Sequence, residues 1–176
     1  MKRLVLFITL LVFSGSVFSQ KIIKNEVDKF TKKKIVETSF ERICTNKKMS
    51  GTFTEARIAF VLIDDASFMR IKWMCGQILS IQEGARIMFL DSNGETYEFR
   101  NKISAVASKG AGATGLSGSE TFGFDLFATG DISTIVDKPL TDMRIYTTDG
   151  YVDFNLNSNA VDKISKLYKL FEEASK

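Results

Sequence analysis

The chain has 176 residues, with 24 Lys and Arg against 21 Asp and Glu, and no histidine. The missing imidazole excludes Ser-His-Asp and Cys-His nucleophile pairs, a histidine general base, and every zinc site that needs a histidine. An apolar fraction of 44% and a charged fraction of 26% are those of a folded domain with a core of ordinary size.

Residues 1–19 begin with Lys2 and Arg3, continue as an apolar run, and end in small residues up to Ser19. This tripartite pattern predicts a secretory signal cleaved after Ser19, and its apolar core is too short to span a bilayer. The expected product is a single domain over 20–176, periplasmic or secreted, with no transmembrane segment after cleavage. Removing the two signal cations lowers the formal charge from +3 to about +1. Nucleic acid is therefore not expected as a partner.

Residues 22–30 read either as a short helix or as an extended lead-in. The run Lys32-Lys33-Lys34 reads as a solvated turn, with contact to an anionic surface as the alternative. Residues 34–44 alternate as a strand with Val36, Phe40 and Cys44 on one side, and a loop is expected over 45–52. A hairpin follows, with 57–63 and 68–75 joined by a four-residue loop that pairs Leu62 with Met69, Phe60 with Ile71 and Ile58 with Trp73. Asp64 and Asp65 lie in that loop, where adjacent acids serve a turn better than acid–base chemistry.

A second hairpin centres on Asn93-Gly94, pairing Leu90 with Tyr97 and Met88 with Phe99. Its strand 87–90 is apolar on both faces, which predicts cover on both sides and a central place in the sheet. Asp91, Asn93 and Glu95 resemble a fragment of a calcium loop, but the acidic positions and the distal Glu that such a loop needs are missing.

Residues 109–123 are rich in glycine and contain Gly110-Ala111-Gly112-Ala113-Thr114-Gly115, the letter pattern of a dinucleotide loop. The chemistry behind that pattern needs a helix to start there, and Leu116-Ser117-Gly118-Ser119 cannot supply one. Ser117 and Ser119 likewise lack a base to activate them. No cofactor and no metal site is expected. Strand character resumes over 120–129, Asp131 is placed to cap a single helical turn, and Pro139 ends that turn.

The clearest signal is Asp149-Gly150. A two-residue turn there pairs Thr147 with Val152, Tyr146 with Asp153, Ile145 with Phe154 and Met143 with Leu156. Met143, Ile145, Val152, Phe154 and Leu156 then share the inner face, while Arg144, Tyr146, Tyr151 and Asp153 share the outer one. Those four are the candidate ligand-binding residues, because tyrosine and arginine combine contact area with donors at modest entropic cost. Ser158 is the expected N-cap of a helix carrying Val161, Ile164, Leu167, Tyr168 and Phe171 on one side.

Cys44 and Cys75 are the only two cysteines. Export makes a disulfide chemically possible. A simple meander would hold them two strand spacings apart, roughly 9–10 Å, beyond disulfide reach. Both states stay open on sequence grounds.

Ile35-Val36-Glu37-Thr38-Ser39-Phe40, the loop at 110–119 and especially Arg144-Ile145-Tyr146-Thr147-Thr148-Asp149-Gly150-Tyr151-Val152-Asp153 resemble small secreted proteins of Bacteroidetes. The resemblance implies export and the fold class, with no activity attached.

The expected fold is α+β: mainly antiparallel hairpins in a twisted sheet or open barrel, with the C-terminal helix on one face, and a two-sheet sandwich as the alternative. Two function classes follow. One is an exported non-catalytic module binding a peptide, glycan or partner protein; the other is a carboxylate-based hydrolase. The missing histidine and the lack of a spaced acid motif favour the module.

Overall fold

The computed structural model describes residues 20–47, 53–75, 78–109 and 122–176. The signal segment 1–19, most of the loop at 45–52, and the glycine-rich stretch with Ser117 and Ser119 lie outside the described residues.

The chain is an α+β domain of mainly antiparallel strands with one C-terminal helix. The strands are β1 (Ile22–Val27), β2 (Lys34–Thr38), β3 (Glu41–Lys47), β4 (Phe53–Ile63), β5 (Ala66–Met74), β6 (Ser80–Ile81) and β7 (Arg86–Asp91). They continue as β8 (Thr96–Asn101), β9 (Ala105–Val106), β10 (Ser108–Lys109), β11 (Phe122–Thr129), β12 (Leu140–Thr147) and β13 (Gly150–Asn155), followed by α1 (Ser158–Ser175). The main sheet runs β1-β2-β4-β5-β11-β8-β7-β12-β13; β3 pairs with β4, β10 with β11, and β6 with β9 in a small second sheet. The lead-in at 22–30 is therefore a strand, closed by a turn in which Asp28 Oδ1 accepts from the amides of Phe30 and Thr31 at 3.0 and 2.7 Å.

Strands β11 and β8 share only two residue pairs, Ala128 with Asn101 and Thr129 with Arg100. Beyond this narrow junction the sheet curls, so that Trp73 of β5 meets Phe154 of β13 edge to face at 5.4 Å and stacks on Phe124 at 5.3 Å. The two halves of one open sheet thus share one core. At the junction Gly130 has φ +151°, and a Cβ there would sit 2.7 Å from Phe99 Cδ1, so the site takes glycine for both torsion and space. Helix α1 closes the inner face over β1–β4: Ala160, Ile164, Leu167 and Phe171 are buried, and Phe60 touches Tyr168 and Phe171 at 5.5 and 5.9 Å. Its N-cap is Asn157, one residue before the expected Ser158, with Oδ1 accepting from the Ala160 amide at 2.9 Å.

Each hairpin differs in register from expectation. At β4–β5 the corner is Asp64-Asp65 alone, with Asp64 at φ +62°, so Phe60 faces Met69 and Ile58 faces Ile71. At β12–β13 the corner is Thr148-Asp149, and Gly150 (φ +126°) follows it; Tyr146 faces Tyr151 and Arg144 faces Asp153. Both pairings slide by two residues, which preserves every inward and outward assignment. At β7–β8 the loop has three residues, Ser92-Asn93-Gly94, with Gly94 at φ +85° after the turn that its amide closes on the Asp91 carbonyl at 3.1 Å. The pairing moves by one, so Ile87 rather than Met88 faces Phe99, and Met88 faces Glu98 on the outer side.

Two further expectations are corrected. The strand at 34–44 breaks at Ser39-Phe40, and both halves pair with β4. Val36 and Cys44 keep to the core, while Phe40 turns to the opposite face beside Arg70 and Lys72. Strand β7 is covered on one side only: Ile87 and Phe89 are buried, whereas Leu90 is 36% exposed. It lies between β8 and β12, away from the middle of the sheet.

Candidate functional site

The outer faces of β8, β7, β12 and β13 form a grid of side chains that no other element covers among the described residues. One row runs Arg100, Arg86, Tyr146, Tyr151; the next Glu98, Met88, Arg144, Asp153; the third Thr96, Leu90, Asp142, Asn155. Alternation along each strand dictates this arrangement once the three registers are set.

The four candidate residues come together on it. Arg144 Nε and Nη2 donate to Asp153 Oδ1 and Oδ2 at 2.6 and 2.7 Å, a bidentate pair. The Arg144 guanidinium carbon lies 3.7 Å from the Tyr151 ring centroid, and Arg86 stands over Tyr146 at 4.4 Å. The two tyrosine rings are 6.0 Å apart. Hydrogen bonding to Asp153, then to Tyr146, raises the Arg144 pKa further above its already high range, so its charge is permanent. Tyr151 is 56% exposed, and its ring is the most open aromatic surface of the grid.

Beside this cluster lies an open groove of about 400 Å³, bordered by Met88, Leu90, Thr96, Asp142, Arg144 and Asp153. Asp142 Oδ1 accepts from Asn155 Nδ2 at 2.7 Å. Met88, Leu90, Arg86, Thr96 and Asp142 are the members that sequence reasoning missed. A two-residue turn at Asn93-Gly94 puts Met88 with Phe99 and so hides the outer residues of β7 and β8. The signal that finds them is the three-residue loop with glycine last.

At the β7–β8 turn Asp91 is buried, and its Oδ1 accepts from the amides of Asn93 and Glu95 at 2.9 and 3.0 Å. The Tyr97 hydroxyl lies 3.0 Å from both Asp91 Oδ2 and Glu95 Oε2. Burial works to raise the Asp91 pKa, but those two amides and the phenol outweigh it and hold the carboxyl below its ordinary range. Burial, then Glu95 and Asp91, raise the Tyr97 phenol above its own. The residues of the calcium-like fragment are thus a turn cap joined to a phenol. Among the described residues no group of three or more His, Cys, Asp or Glu is placed to hold a metal ion.

A second arginine cluster occupies the outer face of the other half of the sheet. Arg70 donates from Nε and Nη2 to Asp125 at 2.8 and 2.6 Å and from Nη1 to Glu37 at 2.5 Å. Phe40 and Phe127 lie on the guanidinium at 5.2 Å each. The hydrogen bonds to Asp125 raise the Arg70 pKa against the opposing effect of burial. Beneath this cover Ala59, on the outward side of β4, is fully buried.

The cysteines are buried thiols, on β3 and just past β5, with β4 between those strands. Burial, helped by the Glu55 charge, pushes Cys44 up to about 11, so it is no nucleophile near neutral pH. Cys75 Sγ donates to the Phe122 carbonyl at 3.5 Å. In the lysine run, Lys32 holds a turn at φ +60°, Lys33 pairs with Asp64 at 3.2 Å, and Lys34 Nζ donates to the Ser175 carbonyl at 3.0 Å. Compared with known proteins, the chain matches no family model, no curated protein and no solved structure.

Proposed function

We propose that this chain is an exported, non-catalytic binding module whose ligand lies on the open face of β7, β12 and β13. The observation that carries the reading is the alternation of rings and guanidiniums, Arg86 on Tyr146 and Arg144 on Tyr151, beside a groove bordered by the exposed Leu90. Such a surface offers apolar area and directed donors with little side-chain entropy left to lose, because ion pairing and stacking already hold the arginine in place. Export rests on the tripartite start of the sequence.

The hydrolase reading draws on Asp142 and Asp153, which both border the groove. Asp153, however, is engaged in its bidentate pair with Arg144 and Asp142 in its bond from Asn155.

The test is the double variant Tyr146→Ser, Tyr151→Ser, screened with the wild type on an array of glycans and peptides. The expected result is an unchanged melting temperature with loss of the wild type's binding. A variant that folds and binds as before removes this face from consideration. Release of sugar reducing ends that vanishes in Asp142→Asn would establish the hydrolase instead.

A further inference from the structure

The charges of the open face do not cancel in place. Arg100 is neutralised by Glu98 beside it, and Arg144 by Asp153. Arg86 is exposed, makes no ion pair with a described residue, and spends its guanidinium on the face of Tyr146. It also stands directly opposite Arg100 on the neighbouring strand, so this end of the face carries two guanidiniums against the single carboxylate of Glu98. Asp142 is the remaining acid, two rows away on the adjacent strand, with one oxygen used by Asn155. Two steps on one face of a strand span about 13 Å. The face is therefore cationic at one end and an acceptor at the other, with aromatic and aliphatic groups between.

Resting on the binding reading above, we propose that the ligand is an acidic glycan in which a uronate precedes a neutral sugar. The uronate carboxylate takes the fork of Arg86, the geometry in which a guanidinium binds a carboxylate best. The C–H faces of the sugar rings lie on Tyr146, Tyr151, Met88 and Leu90, and hydroxyls of the neutral ring donate to Asp142 and exchange hydrogen bonds with Thr96. An acidic peptide fits less well, since its further carboxylates would meet Asp142, the acid left without a cation among the described residues, where a sugar brings donors. A glycan acidic at every ring meets the same repulsion.

The experiment is an NMR titration of the ¹⁵N-labelled protein with four probes: a tetrasaccharide alternating glucuronate and N-acetylglucosamine, the neutral N-acetylglucosamine tetramer, tetragalacturonate, and tetraglutamate. The alternating probe is expected to shift amides of β7, β12 and β13 and to bind tightest. Its affinity should fall about tenfold or more in Arg86→Gln, keep part of its strength in Arg86→Lys, and weaken with added salt. Equal binding of the neutral tetramer with no effect of Arg86→Gln overturns the acidic class while leaving the binding face intact. Tighter binding of tetraglutamate or tetragalacturonate does the same for the alternating pattern. Shifts confined to another surface, or no shift with any probe, overturn the assignment, and the first of these also removes the face itself.

Discussion

Arg70 and Arg144 start from the same device, a guanidinium held bidentately by an aspartate across a strand pair, and end as different structures. Arg70 adds Glu37 as a third partner and is enclosed by Phe40 and Phe127, so the outer face beneath it is closed and Ala59 is fully buried. Arg144 has a single ring, Tyr151, and next to it Leu90 remains 36% exposed. The decisive difference is a corner of chain. The break at Ser39-Phe40 swings Phe40 across Arg70, and no described element does the same for Arg144. An ion pair by itself covers little surface; the aromatic lid does. One half of the outer face is thereby built as structure and the other left as a surface.

The largest expected effect comes from separating the two halves. Trp73 on the closed half packs against Phe154 on the open one, and both are buried. Trp73→Ala should cost about 3–5 kcal/mol in urea denaturation. Its Nε1 has no acceptor among the described residues, an arrangement that costs about 1–3 kcal/mol when buried. Trp73→Phe removes that donor together with part of the ring, so it should stay within about 1 kcal/mol of the wild type. A loss in Trp73→Phe as large as in Trp73→Ala would mean that the indole is satisfied and that the two halves meet differently.

A smaller effect is expected with pH. Asp91, buried at the β7–β8 turn, has its pKa lowered from 3.8 in the fold. A depressed carboxyl stabilises fully above its unfolded value, and the contribution is lost as pH falls through the folded value. The melting temperature should therefore drop below about pH 4 in the wild type, whereas Asp91→Asn should start lower at neutral pH and show a shallower acid limb. Identical acid limbs in the two proteins would show that Asp91 is not the titrating group.

The sequence made the faces legible but not the registers. Asp149-Gly150 and Asn93-Gly94 both read as two-residue corners with glycine inside. In both, glycine instead follows the corner, because its positive φ serves equally well at the first position beyond a turn. At Asp149-Gly150 the slide was even, so Met143, Ile145, Val152 and Phe154 still faced inward, and Arg144, Tyr146, Tyr151 and Asp153 outward. At Asn93-Gly94 it was odd, and Met88 changed partners. Local composition could not separate the two outcomes, since the choice depends on Asp91 accepting from two amides inside the finished turn. Phe40 was missed for a similar reason: the break before β3 inverts the alternation, and nothing in Ser39-Phe40 announces it.

The two arginine clusters serve different ends, and a paired denaturation experiment tests this most directly. Arg70→Ala removes the bidentate partner of Asp125, leaving it Lys72 at 3.9 Å, and takes the Arg70 pair from Glu37, in a site about one-fifth exposed. A loss of about 2–3 kcal/mol is expected there, somewhat below the cost of breaking a fully buried pair. Arg144→Ala, on the open face, should leave the urea midpoint nearly unchanged. Equal losses in the two variants would contradict the division of the outer face into a structural half and a surface left free to bind.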